Sequence, residues 1–209
     1  MWSRRTLLAS AAAAAIAAIS PSFARAADIT KAASDFVGKL ADRAIAILKN
    51  KSLSKEEREQ ALSRLFLEGF DVGAIGRFVL GRYWQQASEE ERREYLSTFR
   101  DYVVETYAIR FNSYAGQSFV INRSTPDGDK GAMVFSDIGS PGEEPAHVQW
   151  RVRQAGDALK IVDVIVEGVS LLVTQRSEFV SILQRNGGKV AALTKLLRDK
   201  ITQLKQQQA

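Results

Sequence analysis

The hydrophobic period of this chain switches from helical to extended at Gly116 and back again past Glu167. Upstream of Gly116, apolar residues recur at three and four, the signature of amphipathic helices; between Phe119 and Glu167 they recur at two, the signature of strands. Tight turns punctuate the second stretch, so its four strands pair with their sequence neighbours. A run of helices followed by such strands implies an α+β fold, with helices laid on one curved four-stranded antiparallel sheet.

Ile29, Ala33, Phe36, Val37, Leu40, Ala44, Ile47 and Leu48 mark one face of a first helix over Asp28–Lys49. Ser54 with Glu57 forms a capping box that opens a second helix ending near Gly69. Asp71 caps a short third helix through Leu80, where Gly81 stops it. A second box, Ser88 with Glu91, opens a long helix whose inner face is Tyr95, Phe99, Tyr102, Val103, Thr106, Tyr107, Phe111 and Tyr114. The strands run through Phe119 and Ile121, Ala132 to Ile138, Val148 to Val152, and Leu159 to Glu167, with turns at Pro126–Asp129 and Ala155–Asp157. The last is apolar on both faces, which predicts a central strand covered on both sides. Gln175 to Arg185 and Val190 to Leu204 are helical, broken at Asn186-Gly187-Gly188.

Arg4 and Arg5, the apolar run Leu7–Ile19 and the triplet Ala24-Arg25-Ala26 follow the charged, apolar and small-residue order of a secretory signal peptide. The run is shorter than the roughly 20 residues that span a bilayer. Ser3-Arg4-Arg5-Thr6-Leu7-Leu8 also fits a twin-arginine signal, with Leu7 where that motif usually has Phe, so both export routes stay open. Cleavage is expected after Ala26, giving a signal peptide over 1–26 and a single domain over 27–209. There is no cysteine, so the fold holds without disulfides and thiolate-ligated metals are closed to it. Removing Arg4, Arg5 and Arg25 takes the basic residues from 29 to 26 against 24 acidic ones, a net charge of only +2. That balance does not call for nucleic acid.

Chemistry-bearing residues are sparse. His147 is the single histidine, and with no cysteine beside it a transition-metal site lacks its usual donors. Ser170 sits in Gly168-Val169-Ser170-Leu171-Leu172, which lacks the second glycine of a nucleophile elbow; a role capping the following helix suits it better. Asp163 and Glu167 share a strand face with Ile161 and Ile165 by period two. They read as structural carboxylates paired with Arg77, Arg82 or Arg176, and less readily as an acid–base couple. Gly69, Gly73, Gly76 and Gly81 match no phosphate loop and suit close helix packing or the mouth of a cavity. No catalytic residue, metal or cofactor is expected.

Two segments carry a family resemblance. Phe70–Trp84, FDVGAIGRFVLGRYW, and Val162–Phe179, VDVIVEGVSLLVTQRSEF, resemble the MlaC or toluene-tolerance family of periplasmic lipid-binding proteins, with its FD…(I/A)xRxVLGRYW and DVxVEGVSLxxxxRSxF blocks. The resemblance implies a cone-like fold with an apolar cavity between helices and sheet. It also implies a monomeric periplasmic carrier that shuttles phospholipid between an inner-membrane ABC transporter and an outer-membrane lipoprotein complex, maintaining lipid asymmetry. The hopanoid-associated branch of the family is the alternative, and the two blocks do not separate the ligands. An adaptor module with a filled core, or a cone-fold enzyme using Asp163, are readings of another class. Apolar faces alone do not separate core from cavity; only the resemblance turns them into a lipid pocket. On that basis the expected lining is Phe70, Ile75, Val79, Trp84, Phe99, Val103, Tyr107, Phe111, Trp150 and Val164. Intact-mass analysis of the protein recovered from the periplasm should give Ala27 as the first residue; an uncleaved cytoplasmic product would refute the export signal.

Overall fold

The computed structural model describes the backbone of residues 21–111, 116–140 and 142–208, and side chains of residues 28–107, 116–140 and 142–207. Its elements, in chain order, are α1 (Pro21–Lys49), α2 (Lys55–Gly69), α3 (Val72–Leu80), α4 (Tyr83–Gln86), α5 (Glu89–Phe111), β1 (Ser118–Pro126), β2 (Gly131–Gly139), β3 (Ala146–Ala155), β4 (Ala158–Val166), β5 (Val169–Ser170), α6 (Leu171–Arg185) and α7 (Val190–Gln208). The fold is α+β, with one sheet in the order β1-β2-β3-β4-β5 and every neighbouring pair antiparallel. The sheet has five strands where the sequence predicts four, because the two residues of β5 fold back on β4. Residues 1–20, which carry most of the expected signal peptide, and Tyr114 lie outside the described residues; α1 runs through the expected cleavage point.

Local chemistry sets the helix starts. Ser54 Oγ accepts from the Glu57 N–H at 3.1 Å while Glu57 Oε2 accepts from the Ser54 N–H at 2.8 Å; Ser88 and Glu91 repeat the exchange at 3.1 and 2.9 Å. Each box satisfies donors that the first helical turn otherwise leaves without partners. Asp71 caps α3 by accepting from the Ala74 N–H at 2.8 Å. Two glycines allow close crossings: a Cβ on Gly69 would lie 2.8 Å from Leu40 of α1, and one on Gly76 would lie 2.8 Å from Leu96 of α5. The α3–α5 crossing is also tied by the Tyr95 hydroxyl, which donates to the Gly76 carbonyl at 3.1 Å and whose phenol pKa burial pushes well above its ordinary value.

Two separate apolar cores result. One is helical, built from Val79 and Leu80 of α3, Tyr95 and Phe99 of α5, Leu183 of α6 and Leu193 of α7. The other lies between α1 and the sheet, where Ala33 and Val37 meet Ala132, Val134, Val152 and Ile161.

Strand β4 corrects three expectations. It is not central: beyond it stands only the two-residue β5, and the remaining edge is closed by the α2–α3 connection, where Phe70 bridges Ile161 and the Asp71 N–H donates to the Ile161 carbonyl at 3.0 Å. Nor does its side-chain alternation run unbroken. Ile161 pairs with Val152 and Asp163 with Arg151, leaving Val162 as the extra residue of a β-bulge. Directly opposed residues share a face, so Ile161 and Asp163 point to opposite faces although period two places them together. Glu167 is outside the strand, in the two-residue turn with Gly168; both take positive φ, 48° and 79°, as the hairpin turns that match strand twist do.

The bulge aims Asp163 at the start of α6. Its carboxylate, fully buried, accepts from Ser170 Oγ at 2.8 Å, from the Leu172 N–H at 3.1 Å and from Arg151 Nη1 at 3.3 Å. Ser170 in turn caps α6 by accepting from the Val173 N–H at 3.0 Å, so the helix begins four residues earlier than the sequence period suggests. The expected partners are therefore replaced: Arg151, directly across the strand, holds Asp163. Arg176 lies over the Phe78 ring at 4.8 Å, Arg82 over the Tyr83 ring at 5.2 Å, and Arg77 is exposed on α3. Glu167 accepts from the His147 backbone N–H at 2.6 Å instead. Asp163→Asn should lower stability by about 1.5–3 kcal/mol, the range for hydrogen bonds to a charged group, since Ser170 and Arg151 lose their anionic acceptor. Chemical denaturation checks this, and a wild-type midpoint would leave the corner without structural weight.

Candidate functional site

The residues that could carry catalysis are engaged elsewhere. Ser170 spends its hydroxyl on Asp163 and on its own helix cap. His147 is exposed on β3, its Nδ1 2.7 Å from Asp137 Oδ1; the hydrogen bond to that carboxylate raises the imidazole pKa above its usual value and lowers that of Asp137. Among the described residues no group of three His, Cys, Asp or Glu side chains is placed to hold a metal ion. Asp163 is locked by its three donors and is not poised as a base.

What the fold does leave open is space between its two cores. A first cavity of about 220 Å³ borders the sheet core and a second of about 290 Å³ borders the helical core. The first is walled by α1 (Val37, Leu40, Ala41, Ala44), α2 (Leu62, Leu65, Phe66), Phe70, Tyr107, and Phe119, Trp150, Ile161 and Val164 from the sheet, with Leu171 at the start of α6. Ile161 and Val164 both face it, three residues apart, because the bulge at Val162 restores the later residue to the inner face. The second is walled by Phe66 and Phe70, Ile75 of α3, five residues of α5 from Phe99 to Tyr107, the bulged stretch Val162–Val164, and the first two turns of α6.

Polarity differs between them. The first is lined almost wholly by carbon. The second carries Thr106 of α5 and Thr174, Gln175 and Glu178 of α6, with Asp163 in its wall; Gln175 Nε2 donates to Glu178 at 3.1 Å. Among the described residues neither lining includes Lys, Arg or His. Such a cavity can hold flexible apolar chains with a polar end turned towards α6.

Seven of the residues expected at the lining are there: Phe70, Tyr107 and Val164 face both cavities, Trp150 the first, and Ile75, Phe99 and Val103 the second. Val79 is not; it is completely buried in the helical core. Trp84 is also elsewhere, on α4 beneath the Arg92 guanidinium at 5.2 Å. Phe111 ends α5 with its side chain outside the described set. A helical period identifies an inward face, and in this molecule that face meets either a core or a void. The contributions of α1 and of Phe66 were not anticipated. Their signal was present, as the Val37–Leu40–Ala44 stripe, but an apolar stripe does not name what it faces.

The family profile described as "MlaC protein" matches residues 10–199. Among curated proteins, the chain is 28% identical over 116 residues to the intermembrane phospholipid transport system binding protein MlaC of Haemophilus influenzae, covering 54% of each. It is 23% identical over 128 residues to the toluene tolerance protein ttg2D of Pseudomonas putida, covering 61% of this chain and 60% of that one. The matched stretches thus span little more than half the length of these relatives. Among solved structures, the phospholipid-binding protein from Ralstonia solanacearum, in complex with a phospholipid, superposes with a TM-score of 0.73 at 22% identity, over 82% of this chain and 97% of that chain. At that identity the likeness establishes the shared fold.

Core and cavity positions should respond oppositely to added volume. Val79→Trp overpacks a filled core and should cost at least the 1–3 kcal/mol typical of such changes, whereas Val103→Trp grows into empty space and should leave the thermal midpoint near wild type while reducing uptake of an apolar fluorescent probe. Equal destabilisation by both would mean that the second cavity is closed in solution.

Proposed function

We propose, from the premise that this chain belongs to the MlaC family, that it is a phospholipid carrier and not an enzyme. The observation that carries the reading is the pair of adjoining cavities between two cores, the first almost wholly apolar and the second apolar with a polar side at α6. The acyl chains occupy the cavities and the headgroup stays at the polar side, near Thr174, Gln175 and Glu178. The relatives named for phospholipid transport and phospholipid binding support the same assignment.

The remaining parts of the proposal follow from the family. Residues 1–26 serve as an export signal, and 27–209 act as a single monomeric domain in the periplasm. Among the described residues no helix is long and apolar enough to cross a membrane, which suits a carrier that moves between membranes. Its partners are an inner-membrane ABC transporter that supplies the energy and an outer-membrane lipoprotein complex.

The energetics suit a shuttle. At about 0.8 kcal/mol per buried methylene, two long chains are worth roughly 20 kcal/mol relative to water. Release of such a lipid into water is therefore prohibitive. The relevant exchange is from membrane to cavity, apolar at both ends, where the net free energy approaches zero. Direction then comes from the partners, and the carrier needs no nucleotide site of its own.

Solvent extraction of the purified protein followed by mass spectrometry tests this. Co-purifying phospholipid is the expected result. A hopanoid would move the ligand to the alternative branch of the family, and a protein free of any lipid, which also takes up none from vesicles, would overturn the carrier reading.

A further inference from the structure

Large apolar side chains exposed among the described residues are Phe78, Val120, Val169, Val173 and Leu196. Val120 lies on β1 and Leu196 on α7. The other three lie on α3 and at the start of α6, which pack against each other, and their exposure is high: 40% for Phe78, 56% for Val169 and 53% for Val173.

Arg176 joins the two helices. Its guanidinium lies over the Phe78 ring at 4.8 Å and against the end of α3, where a Cβ on Gly81 would stand 3.2 Å from Arg176 Nη2. Val173 is one turn earlier on the same side of α6, and Val169 precedes that helix on β5. Arg77 adjoins Phe78 in the chain and Arg82 adjoins Gly81; both are exposed. Arg43, Arg151, Arg153 and Arg198 are each paired with a carboxylate. Among the described residues Arg77, Arg82 and Arg176 form no ion pair; Arg82 and Arg176 lie over rings instead.

Apolar side chains flanked by unneutralised arginines complement one kind of surface. A bilayer interface takes apolar side chains into the boundary between headgroups and acyl chains, while anionic headgroups attract the cations around them. The position suits that occupant. The first two turns of α6 also wall the second cavity through Leu172 and Gln175, and Ile75, one turn before Phe78 on α3, walls it as well. We infer that Phe78, Val169 and Val173, with Arg77 and Arg176, form a docking surface for anionic bilayers, which brings the α3–α6 wall of the second cavity against the lipid.

Flotation of the purified protein with vesicles tests the assignment. One set is pure phosphatidylcholine and the other an equal mixture of phosphatidylcholine and phosphatidylglycerol. Wild type should float with the mixed vesicles and not with the neutral ones, and added salt should weaken the binding. Each arginine at such a surface strengthens binding about fivefold, so Arg77→Gln with Arg176→Gln should weaken it about twenty-fivefold. Phe78→Ser should also weaken it, whereas Arg176→Lys, which keeps the charge, should bind as wild type. Lys189→Gln with Lys200→Gln removes two exposed cations around α7 and should change little. Should the double arginine variant melt early, Arg77→Glu alone, at an exposed position, should give a similar loss. Wild-type protein that does not distinguish the two vesicles would overturn the assignment, as would equal losses from the arginine and lysine pairs or wild-type binding by natively melting patch variants. The docking surface stands apart from the carrier reading: protein that floats with the mixed vesicles but takes up no lipid keeps the first and sinks the second.

Discussion

Asp163 is the corner on which this architecture turns. It sits fully buried on a penultimate strand, and three donors converge on it: the guanidinium of Arg151 across the strand, the hydroxyl of Ser170 and the amide of Leu172. A carboxylate without those partners would be costly to bury. With them, it fastens the sheet to the first turn of α6. That turn contributes Leu171 and Leu172 to the cavity walls and continues into Thr174, Gln175 and Glu178, so the position of the polar rim follows from the position of one acid. The Arg151–Asp127–Arg153 cluster carries the connection onward, with Asp127 2.7 Å from Arg153 and 3.1 Å from Arg151, and the two guanidinium groups hold the Asp127 carboxyl below its usual range.

A void between two cores needs a reason to persist, since packed interiors ordinarily collapse to high density. Here the two cores are each complete without the other. The helical core closes on Leu183 and Leu193, and the sheet core closes on α1. Where they approach, aromatic residues too large and too well stacked to interdigitate stand between them. The space is thus walled by helices α1, α2, α5 and α6 and by the sheet. A cavity of this kind exchanges ligands with an apolar membrane at little net cost, which is the thermodynamic condition a reversible carrier must meet.

Local signals were read correctly because they depend on few neighbours. A capping box needs residues three apart, and both boxes form. The turns that close the hairpins need only their own glycines, and the strand order follows from them. Where side chains had to be assigned to a face, the reading was less secure. Unbroken alternation along β4 puts Ile161, Asp163 and Glu167 together, and the bulge at Val162 separates them. Nothing within the nine residues of that strand announces an extra residue, because a bulge is a statement about two strands and not one. The same limit applies to Val79 and Val103, both on inward helical faces, of which one is packed solid and the other borders empty space.

By itself the amino-acid sequence determined the element types, the helix boundaries set by caps, the antiparallel meander and, through the two blocks Phe70–Trp84 and Val162–Phe179, the resemblance to the family to which the chain belongs. These rest on interactions within a turn or a hairpin, whose partners are close in the chain. Tertiary structure alone decided that Arg151 and not an arginine of α3 or α6 neutralises Asp163, and that α1 and α2 wall the cavity. The first depends on the register of two strands and the bulge at Val162, the second on packing between elements far apart in sequence, and a one-dimensional pattern of apolar residues carries no record of register or volume.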